Sequence, residues 1–311
     1  MKIVFMGTPD YAVKTLEALI GAGHTVAAVF AQPDKPVGRK QILTPPPVKV
    51  CAQMHGIPVF QPRTLRDGEA EKIIRNIAPD VIAVVAYGKI LPTEILTLPR
   101  FGCVNGHASL LPKYRGAAPI QWCIVNGEKE TGVTAMQMDE GMDTGDILET
   151  AVTEIGAEET AGELFERLSV IGAELLVKTL ADIENGNVTP IKQDESKATA
   201  APIIKKEMAK ISFHDMTAEE VHNAVRGFYP WPVAFFISGG KRIKIIKSRV
   251  VNMRGTAGAV LKSDNELIVA CKKEAVALET IQPEGSKPMS AKQYLCGRSI
   301  ALGAEIEDEN G

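Results

Sequence analysis

The chain has 311 residues, of which 45% are hydrophobic and 23% charged, and its formal net charge at pH 7 is −3. This composition indicates an ordinary globular protein with about two domains, in which aliphatic side chains supply most of the core. The sequence has no apolar run of the roughly 20 residues that span a bilayer and no signal-peptide pattern. A membrane protein, a secreted protein and a disordered chain are therefore excluded as first interpretations.

The sequence opens with the pattern of a β-strand, an α-helix and a second β-strand. Residues 1–7 are strand-like, and Thr8-Pro9 offers a helix N-cap followed by proline at the first helical position. Apolar residues then recur at helical spacing up to Gly21, and residues 26–30 form the next strand-like run. Such a βαβ unit predicts a parallel sheet.

Residues 32–47 interrupt this rhythm with five prolines and more basic than acidic side chains. A loop of this length inside a compact domain is uncommon and often functional, although a plain surface insertion is the alternative. Further strands are predicted at 81–86, 102–105 and 132–138. A capping box that begins at Thr160 opens a long helix.

The alternation of strands and helices stops near residue 186, and polar, proline-containing sequence follows. Five short strand-like runs lie after a second capping box at Thr217, and Gly239-Gly240 is typical of a hairpin turn. We therefore predict an α/β domain over residues 1–189, a linker over 190–206, and a small β-barrel domain over 207–311.

Charge is distributed unevenly between the two predicted domains. Residues 205–304 hold 16 basic and 9 acidic side chains, a net charge of +7, and Lys241–Arg249 contains five basic residues and no acid. A basic domain favours an anionic partner, nucleic acid above all. A solvated strand face that resists edge pairing is the alternative interpretation.

Several common enzyme classes are excluded by their missing motifs. Residues 7–12 contain only the first glycine of Gly-x-Gly-x-x-Gly, and neither a Walker loop nor a Gly-x-Ser-x-Gly elbow occurs. Five cysteines and five histidines show no zinc-ligand spacing and suggest no disulfide framework. We therefore expect reduced thiols, a cytoplasmic location and no metal cofactor.

Asn105 and His107 are the first candidates for chemistry. In an extended strand their spacing places both side chains on one face, at the carboxyl end where α/β sheets bind ligands. An asparagine amide can hold a developing oxyanion, and a histidine can exchange a proton near neutral pH. A structural histidine remains the alternative. The acidic loop 138–146 has three possible interpretations. It is a solvated turn, it binds a cation, or it supplies a carboxylate that pairs with His107.

The motifs in order carry a resemblance. They are Gly-Thr-Pro-Asp at residue 7, Gln-Pro-Asp-x-Pro-x-Gly-Arg at 32, Asn-x-His at 105, Ser-Leu-Leu-Pro-x-x-Arg-Gly at 109, Asp-x-Gly-x-Asp-Thr-Gly at 139 and Phe-x-Pro-Trp-Pro at 228. Together they resemble the 10-formyltetrahydrofolate-dependent formyltransferases, in the long form that acts on initiator methionyl-tRNA. The match covers nearly the whole chain and is weak only in the acidic tail.

The resemblance implies a Rossmann-like formyltransferase domain and an OB-like C-terminal barrel. It also implies transfer of a formyl group from 10-formyltetrahydrofolate to the α-amine of methionine on the tRNA, without a metal or a covalent enzyme intermediate. By the family's motif, Asn105 stabilises the oxyanion, His107 orients or moves protons, and Asp143 holds the charged imidazole. Asp139 and Asp146 are the neighbouring carboxylates that could take this role in place of Asp143.

The resemblance further implies binding residues for both substrates, on a chain that we expect to be a monomer. The expected folate contacts are Val85, Ala86, Tyr87, Gly88, Ile90, Ser109, Leu110, Leu111 and Pro112. The expected tRNA contacts are Lys35, Arg39, Lys40, Lys205, Lys206, Lys241, Arg242, Lys244, Lys247 and Arg249.

One residue departs from the family's pattern, because Gly106 stands where the family usually has a β-branched residue. Glycine in a strand costs about 0.5–1 kcal/mol and loosens the backbone. Two other functions therefore stay open. One is formylation of an amino sugar or a purine precursor, and the other is tRNA binding without catalysis.

Overall fold

The computed structural model describes residues 1–38, 40–296 and 300–307. The chain divides into two compact units. The first unit comprises Met1–Pro119, Glu130–Glu154 and Phe165–Ala201, and the second comprises Ile120–Lys129, Ile155–Leu164 and Pro202–Gly311.

Strands and helices alternate through the first two-thirds of the chain. The strands, numbered in chain order, are β1 (Lys2–Gly7), β2 (Thr25–Phe30), β3 (Lys35–Val37), β4 (Ile42–Thr44), β5 (Val59–Phe60), β6 (Val81–Val85), β7 (Cys103–His107), β8 (Arg115–Gly116), β9 (Glu130–Gln137), β10 (Ile147–Glu154) and β11 (Ala200–Ala201). The helices are α1 (Asp10–Gly21), α2 (Pro47–Met54), α3 (Glu69–Ile77), α4 (Thr93–Leu96), α5 (Pro119–Val125) and α6 (Ala161–Glu184).

The first unit is built on a seven-stranded sheet in the order β10-β9-β7-β6-β1-β2-β5. Strands β7, β6, β1, β2 and β5 run parallel, whereas β9 is antiparallel to both β7 and β10. The parallel sheet predicted from the opening βαβ pattern is confirmed. Because β1, β2, β6 and β7 are parallel, the segments that follow them meet at one edge, and the candidate site lies there.

The predicted N-cap of the first helix is wrong. Helix α1 begins at Asp10 with Pro9 as its N-cap, and no side chain caps it. Thr8 Oγ1 instead donates to the Tyr87 carbonyl at 3.1 Å and accepts from the Gln32 amide at 3.3 Å. These tertiary hydrogen bonds join the segments after β1, β2 and β6, and they use the hydroxyl that the local pattern assigned to a cap.

The proline-rich segment 32–47 contains the antiparallel hairpin β3–β4. At its base the Lys49 ammonium contacts both Asp34 carboxylate oxygens at 2.8 and 2.9 Å, and these hydrogen bonds lower the pKa of Asp34. The hairpin exposes large apolar side chains, with Val37 55%, Ile42 61% and Leu43 64% accessible. An anchored base and strands with accessible apolar side chains suit a segment that contacts another molecule.

The second unit is built on antiparallel strands. They are β12 (Phe235–Ser238), β13 (Lys241–Val251), β14 (Val260–Ser263), β15 (Leu267–Ala270), β16 (Ala275–Pro283) and β17 (Met289–Ser290), accompanied by α7 (Ala218–Gly227) and α8 (Ala291–Leu295). The sheet order is β12-β13-β16-β15-β14, with β17 beside β16. The capping box at Thr217 and the Gly239-Gly240 hairpin, whose two φ angles are +55° and +66°, are both confirmed.

The segment expected as a linker, residues 190–206, is structured at its start. Ile191 and Ile147 exchange two backbone hydrogen bonds of 2.8 Å, and β11 pairs in parallel with β8. Residues 190–201 thus belong to the first unit, and we call them the strap. No helix in the described part of the chain has the length and apolar character needed to cross a membrane.

Candidate active site

Asn105 and His107 lie in the last three residues of β7, and β7 lies between β6 and β9 in the sheet. Asn105 pairs with Met136 and His107 with Thr134 of β9. Their side chains are 9% and 7% accessible, whereas the intervening Gly106 is half-buried. The alternation of strand side chains therefore holds both polar groups in protein surroundings, where their electrostatic interactions are stronger than in water.

The Asn105 side-chain amide has no hydrogen-bond partner within residues 1–38, 40–296 and 300–307. None of these residues competes for its N–H donors, although Asn105 is largely buried. An amide that is held on a rigid strand and left free can donate to the oxygen of a bound substrate.

The His107 ring is held between an acceptor on each side. Its Nε2 lies 2.9 Å from the Tyr114 carbonyl, and its Nδ1 lies 3.6 Å from Asp143 Oδ2. A carbonyl can only accept, so Nε2 carries the hydrogen of that bond. The nitrogen left for proton exchange is Nδ1, and the carboxylate beside it can stabilise the ring when the ring is protonated.

Asp143 reaches His107 from a strained position in the loop after β9. Its φ angle is +55°, in the left-handed region, and its Oδ2 accepts from the Gly116 amide at 2.8 Å. The neighbouring Asp139 is used within its own loop, where Oδ1 accepts from Gly141 and Thr144. Within the described structure, Asp143 is the carboxylate that lies beside a His107 ring nitrogen, and the contact becomes an ion pair when the ring is protonated.

The segment that follows β7 is fixed from within. Ser109 is fully buried, and its hydroxyl donates to the Lys113 carbonyl at 2.7 Å. Thr134 Oγ1 donates to the Ser109 carbonyl and accepts from the Leu111 amide, at 2.7 and 3.1 Å. Leu111 is buried, so Leu110 and Pro112, both half-buried, are the side chains that this segment offers to a ligand.

The segment that follows β6 offers mainly backbone. Ala86 and Gly88 are exposed and have φ angles of +47° and +78°. Ile90 is 61% accessible, whereas Val85 and Tyr87 are buried in the core. The Tyr87 hydroxyl has no partner among the described residues, and burial raises its pKa to about 12. The Tyr87 side chain therefore points away from solvent. Ala86, Gly88 and Ile90 are the residues of this segment that a ligand can contact.

The expected tRNA-binding residues are placed in three groups. Lys35 and Lys40 lie exposed in the hairpin segment, Lys205 and Lys206 lie exposed after the strap, and five cations lie along β13. Arg39 lies outside the described residues.

The cations of β13 divide into two sets. Lys247 and Arg249 form ion pairs with Glu279, each at 3.3 Å, and Arg249 also pairs with Glu266. Lys241, Arg242 and Lys244 have no acidic partner in the portion of the chain that the structure describes. Arg242 stacks over the Phe235 ring, with 4.0 Å between the guanidinium carbon and the ring centroid. Arg242 and Lys244 line an open pocket of about 480 Å³ that also contains Glu284.

One group of side chains in the second unit has the donors of a metal site. The ligand atoms of His214, Glu305 and Glu307 lie within 4.8 Å of one another. His214 Nε2 already contacts Glu305 at 3.2 Å, and Glu307 accepts from the Phe213 amide at 2.9 Å. Each of these groups already has a protein partner, and none of them lies among the residues around His107.

Sequence reasoning missed the residues that support Asp143. Arg115 and Gly116 were quoted only as part of a motif, and Gln193 lay in the expected linker. Gln193 Nε2 donates to the carbonyls of Asp143 and Gly145, at 2.8 and 2.7 Å. Arg115, as part of the quoted motif, was the one local signal for this support. The polar linker pattern gives no sign that Gln193 bonds to Gly145, which lies 48 residues earlier.

Comparison with known proteins agrees with this geometry. Residues 1–180 match the family model of formyl transferases, and residues 203–299 match that of the formyl transferase C-terminal domain. The chain belongs to the formyl transferase family, as the motifs predicted. The expected fold class, a Rossmann-like domain followed by a small β domain, is also confirmed, the second domain being an antiparallel half-barrel.

The relatives narrow the class further. The methionyl-tRNA formyltransferase of Alkaliphilus oremlandii (strain OhILAs) is 49% identical over 306 residues, which cover 97% of this chain and 98% of that protein. A solved methionyl-tRNA formyltransferase from Clostridium thermocellum is 20% identical with a TM-score of 0.55, over 82% of this chain and 95% of that one.

A third relative shares the fold with another acceptor. It is an N-formyltransferase from Helicobacter canadensis, solved in complex with folinic acid and dTDP-3-aminofucose. It is 23% identical with a TM-score of 0.69, over 91% of this chain and 99% of that one. At this identity the likeness concerns the fold alone, so it does not choose the acceptor.

Proposed function

We propose that this chain transfers the formyl group of 10-formyltetrahydrofolate to the α-amino group of methionine on initiator methionyl-tRNA. The observation that carries the proposal is the free Asn105 amide beside the pair formed by His107 and Asp143. That arrangement lies at the carboxyl edge of the sheet, in a chain 49% identical to a curated methionyl-tRNA formyltransferase over nearly its full length.

The reaction exchanges one carbon–nitrogen bond for another. The methionine nitrogen attacks the formyl carbon, a bond forms between them, and the bond from that carbon to N10 of the folate breaks. Negative charge develops on the formyl oxygen as the attack proceeds. A hydrogen bond from Asn105 Nδ2 stabilises this charge more strongly than it stabilises the neutral formyl group, which is what lowers the barrier.

Proton balance assigns the role of His107. The attacking amine must lose a proton, and N10 must gain one as it leaves. Because Nε2 is held by the Tyr114 carbonyl, Nδ1 is the nitrogen that exchanges protons with the substrates. The Asp143 carboxylate stabilises the imidazolium in between. The 3.6 Å between Asp143 Oδ2 and His107 Nδ1 exceeds the length of a direct hydrogen bond. A bridging water molecule or a small movement of the Asp143 loop therefore completes the hydrogen bond between them.

The folate fits the edge formed by the segments after β6 and β7. A pterin is flat, with one amide-like edge, and needs backbone donors and acceptors beside apolar contact. Ala86 and Gly88 offer accessible backbone, while Ile90 and Leu110 offer apolar surface. The positions expected from the family resemblance therefore suit the ring, with Ser109, Leu111 and Tyr87 acting as internal support.

The tRNA is recognised through its phosphates by the cations that lack acidic partners. Among the expected tRNA contacts in the second unit, the described residues with no acidic partner are Lys241, Arg242 and Lys244, together with the exposed Lys205 and Lys206. Lys247 and Arg249 contribute less, since their charge is already compensated. The basic hairpin segment with Lys35 and Lys40 contacts the acceptor end.

The proposal also places the protein in the cytoplasm as a monomer. It is tested by incubating the chain with radiolabelled 10-formyltetrahydrofolate and either methionyl-initiator tRNA or a dTDP-linked amino sugar. Label is expected on the aminoacyl-tRNA alone. Label on the sugar alone contradicts the tRNA acceptor, and salt-sensitive tRNA binding without any transfer contradicts the catalytic assignment.

A further inference from the structure

The strap runs beside both loops that complete the candidate site. One end pairs with β10 through Ile191 and Ile147. Farther along, Thr199 accepts from the Arg115 amide through its carbonyl at 2.8 Å, and from the Tyr114 amide through its hydroxyl at 2.9 Å. The strap therefore contacts the segment that holds the His107 ring and the loop that carries Asp143.

Gln193 is the strap residue that reaches the Asp143 loop with its side chain. Its Nε2 donates to the Asp143 carbonyl at 2.8 Å and to the Gly145 carbonyl at 2.7 Å. Its Oε1 accepts from Arg115 Nε and Nη2, at 3.1 and 2.8 Å. Arginine can only donate, so the amide has one orientation, with its NH₂ directed at the two carbonyls.

The Asp143 backbone needs such support because its φ of +55° is unfavourable for a residue with a Cβ. The carboxylate of the same residue spans the gap between the Gly116 amide and His107. A rotation of this backbone would move the carboxylate away from Nδ1. Two hydrogen bonds from the Gln193 amide, to the Asp143 and Gly145 carbonyls on either side of Thr144, oppose that rotation.

We propose that Gln193 is a positioning residue that holds the Asp143 carboxylate against His107 Nδ1, with Arg115 orienting the Gln193 amide. The inference rests on the proposed function, because it gives Gln193 a role through the proton-handling pair. The residue acts through main-chain carbonyls and does not touch a substrate.

The strap supplies both the test variant and its matched control. Gln193→Glu keeps an acceptor for Arg115 but replaces two donors with an oxygen that repels the Asp143 and Gly145 carbonyls. Glu195→Gln weakens the neighbouring ion pair to Arg115, 2.8 Å long and exposed at the glutamate, and leaves Gln193 in place. Thermal unfolding of both variants checks that the fold persists.

The expected result is a fall in kcat of about 10- to 100-fold for Gln193→Glu, the scale of a displaced catalytic group, with KM for both substrates within about twofold. Glu195→Gln stays within about twofold in kcat. In an Asp143→Ala background, Gln193→Glu causes no further loss, because the group that it positions is gone. Equal losses in both backgrounds, or unchanged kcat, overturn the inference.

A second readout separates this inference from the proposed function. With ¹⁵N-labelled histidine and no substrate present, Gln193→Glu is expected to shift the His107 imidazole resonances, and Glu195→Gln is not. Unshifted His107 resonances overturn the inference even if the wild type proves inactive. A wild type that forms no product, but shows the selective shift, overturns the proposed function and keeps the positioning role.

Discussion

The two sets of cations on β13 predict a difference in how salt weakens tRNA binding. One variant replaces Lys241, Arg242 and Lys244 with glutamine and removes three charges that have no acidic partner in the described chain. The matched variant replaces Lys247 and its partner Glu279 with glutamine, and it leaves Arg249 paired with Glu266. Its local net charge is therefore unchanged.

The magnitude follows from counterion release. Each phosphate that a free cation neutralises contributes about 0.9 to the slope of log affinity against log salt for a duplex, and about 0.7 for a single strand. Three such contacts predict that the first variant lowers the slope by about 2–2.7. Between about 50 and 200 mM salt, the wild type then loses roughly 16- to 40-fold more affinity than that variant.

The matched variant is expected to leave the slope within about 0.5 of the wild-type value, because paired cations release few ions. Fluorescence anisotropy of labelled initiator tRNA, titrated at four or more salt concentrations, measures all three slopes. Equal slopes for the two variants, or a larger loss for the matched variant, refute the division of β13 into free and compensated cations.

Two further predictions concern stability. Gly106→Ala is expected to stabilise the fold by about 0.4–1 kcal/mol, and Gly106→Val to raise turnover or stability, because a Cβ there meets Val85 at an ordinary 3.6 Å. Gly132→Ala is the control, and its added Cβ would overlap the Ala151 carbonyl oxygen, so a loss of stability is expected. Denaturant midpoints that rank the two alanine variants in the opposite order contradict this. Burial raises the pKa of Glu307, so the folded state binds its proton more tightly than the unfolded chain, and stability falls as pH rises from the ordinary glutamate value through the raised one. Glu307→Gln is therefore expected to gain more stability over the wild type at about pH 7 than at about pH 4, and an equal difference at both pH values contradicts the burial argument.

Local patterns predicted the elements whose hydrogen bonds are local. The Gly239-Gly240 hairpin and the capping boxes at Thr160 and Thr217 were predicted from turn and cap chemistry. The predicted helix cap at Thr8 was wrong because its hydroxyl donates to the carbonyl of Tyr87, which is 79 residues away. A cap pattern cannot show that a tertiary partner competes for the side chain.

Only part of the candidate site could be predicted from the sequence. Asn105 and His107 stand out from strand spacing, whereas the choice of Asp143 over its neighbours came from the family's motif. The compensated charges on β13 could not be foreseen, since Glu279 is 30 residues from Arg249 in sequence and adjacent to it only across the sheet. Gln193 was hidden for the same reason.

The central claim is that Asn105 and the His107–Asp143 pair perform formyl transfer to methionyl-tRNA. It is tested most directly by single-turnover transfer of label from 10-formyltetrahydrofolate to methionyl-initiator tRNA, comparing the wild type with Asn105→Ala and His107→Ala. The account predicts labelled aminoacyl-tRNA with the wild type, a loss of about 10²–10³ for Asn105→Ala, and unchanged tRNA binding in both variants. Transfer at the wild-type rate by a folded Asn105→Ala or His107→Ala variant would contradict it.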